Sequence, residues 1–161
     1  MKSSTLLTIT MIALSGFVAT TVQAGPHYIN GPTASLDSKT GDYAVSFKEA
    51  GLGSTPVTYT ITVGAGTCFT FQCFTKSGNT PSGSPNGING SGESSQTTIT
   101  PHNGQISATV SLAPEQDGAS CQGGGLVLRL VGVTYKNVTF TDTATNQTFN
   151  LPDMSSGTAC P

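Results

Sequence analysis

Apolar and polar residues alternate with a period of two along most of this chain. The clearest run covers residues 57–63, where Val57, Tyr59, Ile61 and Val63 share one face and threonines occupy the other. Successive side chains of a β-strand point to opposite faces, so this run predicts a strand that is buried on one side. Similar runs predict seven more strands, over residues 43–48, 67–75, 95–100, 105–112, 126–135, 137–141 and 147–151.

These strands predict an all-β protein, specifically an antiparallel β-sandwich of the immunoglobulin-like kind with about eight short strands. Glycine and proline recur too often for long helices, and turn residues separate the runs. Residues 126–135 are apolar on both faces, as expected for a central strand. Residues 64–66 predict a turn or bulge, and residues 142–146 predict a hairpin connection.

The first 24 residues have the features of a signal peptide. Lys2 supplies a positive charge, residues 6–18 form a short apolar stretch, and residues 22–24 (VQA) offer small residues for cleavage after Ala24. Cleavage there would leave 161 − 24 = 137 residues, the usual size of one domain. We therefore expect a single domain over residues 25–161, located outside the cell or in a periplasm, with no membrane span.

Residues 76–94 differ from the rest because Ile88 is their only apolar residue. Such a segment buries too little apolar surface to order itself, so it predicts a flexible surface loop. Long loops often carry function. This loop and the connection over residues 113–125 are therefore the contact regions that the sequence favours.

Four cysteines predict two disulfides, and three pairings are possible. Cys68 and Cys73 point to opposite faces of a straight strand and would lie roughly 16 Å apart, against a bridging limit of about 7 Å. Cys73 shares the parity of Phe69 and Phe71, the presumed inner face. This parity favours Cys73–Cys121 across the core, with Cys68–Cys160 anchoring the tail; Cys68–Cys121 with Cys73–Cys160 is the alternative.

Charge is sparse and argues against a nucleic-acid partner. Only 9% of residues are charged, and without Lys2 five basic residues face eight acidic ones, a net charge of 5 − 8 = −3. No basic patch is evident. We expect a monomer whose partner is an unknown extracellular protein or glycan.

The sequence provides no catalytic, cofactor-binding or metal-binding residue. His102 lies in a turn-forming tetrapeptide, and Pro26 lacks the amide that an amino-terminal copper site at His27 would require. Asp37 and Asp42 are explained by turn chemistry. Glu115 and Asp117 are close in sequence, which does not place two carboxyls across one cleft. We expect no enzymatic activity and no cofactor.

Several segments resemble a family of small secreted β-sandwich proteins to which no activity is assigned. The resembling segments are YTI (59–61), the polar 76–94 loop, NGQI (103–106), VSLAP (110–114), Cys121 with its glycine-rich turn, and VTYKNVTFTD (133–142). The resemblance implies that Cys73 and Cys121 are the shared cysteines, with Cys68 and Cys160 an added pair. It implies no catalytic residue.

The sequence thus favours a secreted, non-enzymatic binding or surface-interaction module. A structural or protective extracellular protein, whose Thr/Ser-rich surface is itself the function, is the alternative. A carbohydrate-binding module is less favoured because tryptophan is absent and three of the four tyrosines share the parity of core residues. A small hydrolase is also less favoured, because no nucleophile, base and acid can be named together.

Overall fold

A computed structural model describes residues 24–81, 88–90, 94–116, 118, 120–121 and 124–158. Within these residues the chain forms eleven strands and no helix, and every strand pairing is antiparallel. The strands are β1 (His27–Leu36), β2 (Tyr43–Ala50), β3 (Val57–Thr62), β4 (Cys68–Thr75), β5 (Ile88–Gly90), β6 (Ser95–Ile99), β7 (Gln105–Leu112), β8 (Leu126–Tyr135), β9 (Thr139–Asp142), β10 (Thr148–Asn150) and β11 (Met154–Gly157). The predicted all-β, antiparallel class is confirmed.

The strands form a three-stranded sheet, β1-β2-β7, and two four-stranded sheets, β10-β9-β3-β6 and β11-β8-β4-β5. The two four-stranded sheets continue each other, because β3 leads into β4 and β8 leads into β9. The pairing of β3 with β9 ends where Thr62 lies opposite Thr139, and the pairing of β4 with β8 begins where Cys68 lies opposite Thr134. The two sheets are therefore halves of one long antiparallel layer that is interrupted in the middle.

Residues 64–66 form this interruption, at the place where the sequence predicts a turn or bulge. The Gly64 amide donates to the Lys136 carbonyl at 2.9 Å, and the Asn137 side-chain amide donates to the Ala65 carbonyl at 3.1 Å. A Cβ atom on Gly64 would lie 2.7 Å from the Cβ of Asn137. Only glycine allows this approach, so the sequence fixes where the layer breaks.

The inner face of the β1-β2-β7 sheet packs its aromatic side chains against those of the other layer. Phe47 on β2 lies 4.4 Å from Tyr59 on β3 and 5.1 Å from Phe140 on β9, measured between ring centroids. Tyr43 on β2 lies 5.1 Å from Tyr135 on β8. All five rings are buried. Burial of each large side chain contributes about 1.5–3 kcal/mol to folding, so these contacts are the main attraction between the layers.

The structure adds three strands that the sequence does not predict. β1 contains Asn30, Gly31 and Pro32, which have turn propensity, and β11 is mostly serine and glycine. β5 lies inside the predicted 76–94 loop and pairs with β4. All three are edge strands. An edge strand needs less apolar alternation and tolerates proline, which is why the pattern missed them.

The predicted Cys73–Cys121 disulfide is confirmed, with Cα atoms 5.8 Å apart. Cys73 is buried beside Phe71, on the face that parity predicts. The predicted Cys68–Cys160 bond involves Cys160, which lies outside the described residues. None of the described cysteines is free. The structure thus describes one of the two expected disulfides, and the pairing of the second remains a prediction.

We expect the double variant Cys73→Ala/Cys121→Ala to lose up to about 4 kcal/mol of unfolding free energy. The bond closes a 48-residue loop, and in the chain-entropy model its removal frees the unfolded chain by that amount. Urea denaturation of the oxidised protein measures the loss. The variant Gln72→Ala, on the opposite face of the same strand, serves as the control and should change stability by less than about 1 kcal/mol. Equal stability of the double variant and the control would contradict the expectation.

Candidate functional site

The two loops that the sequence favours are only partly described. Residues 82–87 and 91–93 of the first loop lie outside the described residues, as do residues 117, 119, 122 and 123 of the second. Only the backbone of residues 88–90 is described. These loops therefore supply no side-chain geometry for a site, and their role as contact regions remains a prediction.

His102 and Asp37 lie in turns, as the sequence predicts, whereas Asp117 lies outside the described residues. His102 closes a turn through backbone hydrogen bonds with Gln105, of 2.9 and 3.0 Å. The Asp37 carboxylate accepts hydrogen bonds from the amides of Lys39 and Thr40 and so stabilises the turn before β2. Within the described part of the chain, no group of three or more His, Cys, Asp or Glu side chains is placed to hold a metal ion.

Two acidic side chains that the sequence analysis overlooked are completely buried between the layers. Glu49 on β2 and Asp142 on β9 both have an exposed fraction of 0%. Glu49 shares the parity of Tyr43 and Phe47, and Asp142 shares that of Phe140. This parity was the available signal, but the predicted strands ended one residue before each acid, at residues 48 and 141.

Each carboxyl is bound by a tyrosine of the opposite layer. The Tyr28 hydroxyl on β1 donates to Asp142 Oδ2 at 2.6 Å, and the Tyr59 hydroxyl on β3 donates to Glu49 Oε2 at 2.7 Å. Within the sheets, Tyr28 is paired with Glu49 and Tyr59 is paired with Asp142. The hydrogen bonds therefore cross reciprocally from layer to layer. We call these four residues the tyrosine–carboxyl cluster.

The two carboxyls of the cluster differ sharply in how many donors they have. Asp142 accepts from Tyr28, from the amides of Ala144 and Thr145 at 2.8 and 2.7 Å, and from the Thr145 hydroxyl at 2.6 Å. Among the described residues, Glu49 accepts from Tyr59 alone, and its buried Oε1 atom has no hydrogen-bond partner there. Four donors suit an ionised carboxylate, whereas one donor leaves most of the desolvation of Glu49 uncompensated.

Burial is the main cause of the altered acidities in the cluster. Desolvation raises the pKa of Glu49 above its ordinary value; the Tyr59 hydrogen bond partly opposes this, and the nearby charge of Asp142 adds to it. Desolvation and the carboxyl acceptors also raise the pKa of Tyr28 and of Tyr59. Both tyrosines therefore remain protonated donors. Because neither carboxyl is accessible to solvent, the cluster joins the layers and offers no surface to a substrate.

A separate feature, an open groove of about 800 Å³, lies on the outer face of the β1-β2-β7 sheet. It arises from two irregularities in β1, where pairing with β2 skips Ile29 and then skips residues 31–32. Such bulges bend an edge strand and redirect its side chains. Ile29 consequently points to solvent with 48% of its surface exposed. The displaced segment of β1 forms one wall of the groove.

The floor of the groove combines hydroxyl groups with one cation. Lys48 on β2 is paired with Ser107 on β7, and Ser46 is paired with Thr109, with 2.8 Å between the latter two hydroxyl oxygens. The Thr33 hydroxyl donates to the Ser46 carbonyl at 3.2 Å. Among the described residues the one ion pair joins Lys136 to Asp153, so Lys48 has no acidic partner there. The groove thus presents the positive charge of Lys48 among polar donors and acceptors.

Comparison with family models, with curated proteins and with solved structures finds no match to this chain. Among the described residues, no helix is long and apolar enough to cross a membrane.

We expect Tyr28→Phe to lower the free energy of unfolding by about 1.5–3 kcal/mol. The ring contacts of Tyr28 with Phe47 and Phe149 would remain, but a buried charged acceptor would lose one donor. Tyr43→Phe is the matched control, because the Tyr43 hydroxyl donates to the neutral carbonyl of Pro152. That control should lose only about 0.5–1.5 kcal/mol. A Tyr28→Phe loss no greater than the control's in urea denaturation would contradict the assignment.

Proposed function

We propose that this chain is a secreted, non-enzymatic binding module and that the groove around Lys48 is its contact surface. The observation that carries the proposal is the ammonium group of Lys48, which has no ion-pair partner among the described residues. It lies in a shallow groove with the polar side chains of Asn30, Thr33, Ser46 and Thr109 along its lining. A concave surface with a few convergent polar groups is the usual form of a ligand site. This geometry fits an acidic, polyhydroxylated ligand such as a uronate-containing glycan.

The fold we propose is an immunoglobulin-like sandwich. Three strands in one layer and a four-strand-wide opposite layer, packed through aromatic side chains, support this assignment. Sandwiches of this kind commonly serve as rigid supports for binding surfaces. The Cys73–Cys121 bond supports an oxidising location for the protein, either extracellular or periplasmic. Our proposal also includes cleavage of the chain after Ala24 and a soluble, monomeric mature protein.

We expect Lys48→Gln to weaken binding of a polyuronate oligosaccharide by about tenfold or more, because it removes a charge-assisted contact from the groove. Isothermal titration calorimetry measures the affinity, and neutral oligosaccharides of equal length should bind more weakly than the acidic ones. Lys39→Gln, which removes an exposed lysine from the turn before β2, is the control and should retain the affinity.

Two results would contradict the groove proposal. An equal loss in Lys39→Gln would indicate general charge attraction instead of a site at Lys48. A wild-type protein that binds neither acidic nor neutral oligosaccharides would exclude the proposed ligand class. In both variants the melting temperature should remain within a few degrees of the wild type, because neither lysine has an ion-pair partner among the described residues.

A structural or protective extracellular role is the second candidate, and a specific surface favours it. The outer face of β10-β9-β3-β6 carries threonines whose hydroxyls bind one another across strands, Thr58 with Thr98 at 2.9 Å and Thr141 with Thr148 at 3.0 Å. An uncharged, internally hydrogen-bonded face suits close packing of copies. Concentration-dependent self-assembly in light scattering, together with absent glycan binding, would favour this candidate over the binding module.

A further inference from the structure

The tyrosine–carboxyl cluster contains a chemical asymmetry that the proposed function does not use. Two acidic side chains are buried near each other, yet in the part of the chain that the structure describes Asp142 has four donors and Glu49 has one. When two neighbouring carboxyls have such different surroundings, the poorly solvated one is the group that retains a proton. The unpartnered Oε1 atom of Glu49 is an independent sign of this, because a buried anionic oxygen without a donor is costly.

We propose that Glu49 is a proton-binding site of the folded protein, and that release of its proton weakens the contact between the two layers. The proton taken up by the carboxyl comes from solvent during folding. In the neutral form, Glu49 Oε2 and the Tyr59 hydroxyl still share a hydrogen bond across their 2.7 Å separation, and Oε1 is an uncharged carbonyl oxygen. In the ionised form, a negative charge is placed in the core beside that of Asp142.

The groups that face Glu49 come from all the elements packed against it. Tyr59 on β3 donates to it and favours the ionised form, while Asp142 on β9 disfavours that form. His27 on β1 supplies the positive charge that attracts an ionised Glu49 among the described residues. His27 is exposed, and its Nδ1 atom lies 2.8 Å from the Gly25 carbonyl. Tyr28, paired with Glu49 in the sheet, directs its hydroxyl to Asp142 instead.

The direction of the pH effect follows from proton linkage. Burial raises the pKa of Glu49 in the folded state above the pKa of the same residue in the unfolded chain. At a pH between these two pKa values, the folded protein therefore binds more protons than the unfolded chain does. This contribution to stability is complete below the ordinary glutamate pKa of about 4.5. The stabilisation is lost as the pH rises toward the folded-state pKa. Over this range the equilibrium constant for folding falls by up to about tenfold per pH unit.

The test is a set of urea denaturation curves between pH 4 and pH 8 for the full protein. The wild type should lose stability as the pH rises, and Glu49→Gln, which cannot ionise, should lose the steep part of that dependence. Glu115→Gln, which removes an exposed glutamate, is the matched control and should follow the wild-type curve. The comparison uses slopes against pH, so a constant offset in the stability of Glu49→Gln does not affect it.

A direct titration covers the case in which Glu49→Gln does not fold. Carbon-13 NMR of side-chain carboxyls should show one glutamate signal of the wild type that titrates well above the others. In Tyr59→Phe that signal should move to still higher pH, because the hydrogen bond that favours the ionised form is gone. The proposal is overturned if no glutamate titrates above the ordinary range, or if wild type and Glu49→Gln show parallel pH dependence. It does not depend on glycan binding, so the two proposals fail separately.

Discussion

The reciprocal hydrogen bonds between tyrosines and carboxyls are the constraint on which the relative placement of the two layers depends. Aromatic packing supplies most of the attraction, but apolar contacts tolerate small sliding movements. The bonds from Tyr28 to Asp142 and from Tyr59 to Glu49 do not, because each joins a fixed position on one layer to a fixed position on the other. A slip of one residue in β2 or β9 would direct a buried acid to solvent and an outward residue to the core. The cluster therefore specifies register at some expense of stability, the role for which buried polar groups are best attested.

The groove on the outer face begins directly beside this cluster on β1. Tyr28 must face inward to reach Asp142, and the pairing of β1 with β2 skips the very next residue, Ile29. The chain then skips residues 31–32 before regular pairing resumes at Thr33. Ile29, Asn30 and Gly31, which belong to this irregular segment, line the groove, so the groove begins at the residue that follows Tyr28. An edge strand can accept such bulges because its outer side has no further partner in the sheet.

The central strands were predictable from the sequence because burial on one face leaves a period of two. Parity predicts the strands at Tyr43 to Phe47 and Val57 to Ile61, and it favours the Cys73–Cys121 bond over the alternative that pairs Cys68 with Cys121. The edge strands were not predictable, since β1 interrupts its pattern with Asn30, Gly31 and Pro32 and β11 has little apolar content. The tyrosine–carboxyl cluster was missed for a different reason. A charged residue at an inward position resembles the end of a strand, and only the partner on the opposite layer shows that the strand continues.

The proton site and the groove lie on consecutive residues of the same two strands. On β2, Lys48 faces the groove and Glu49 faces the core; on β1, Tyr28 faces the core and Ile29 faces the groove. Glu49 and Lys48 share a peptide unit on β2, and Tyr28 and Ile29 share one on β1. Coupling between two sites requires a physical element shared by both, and here that element is one peptide unit on each strand. The architecture thus places the buried carboxyl of Glu49 directly behind the groove.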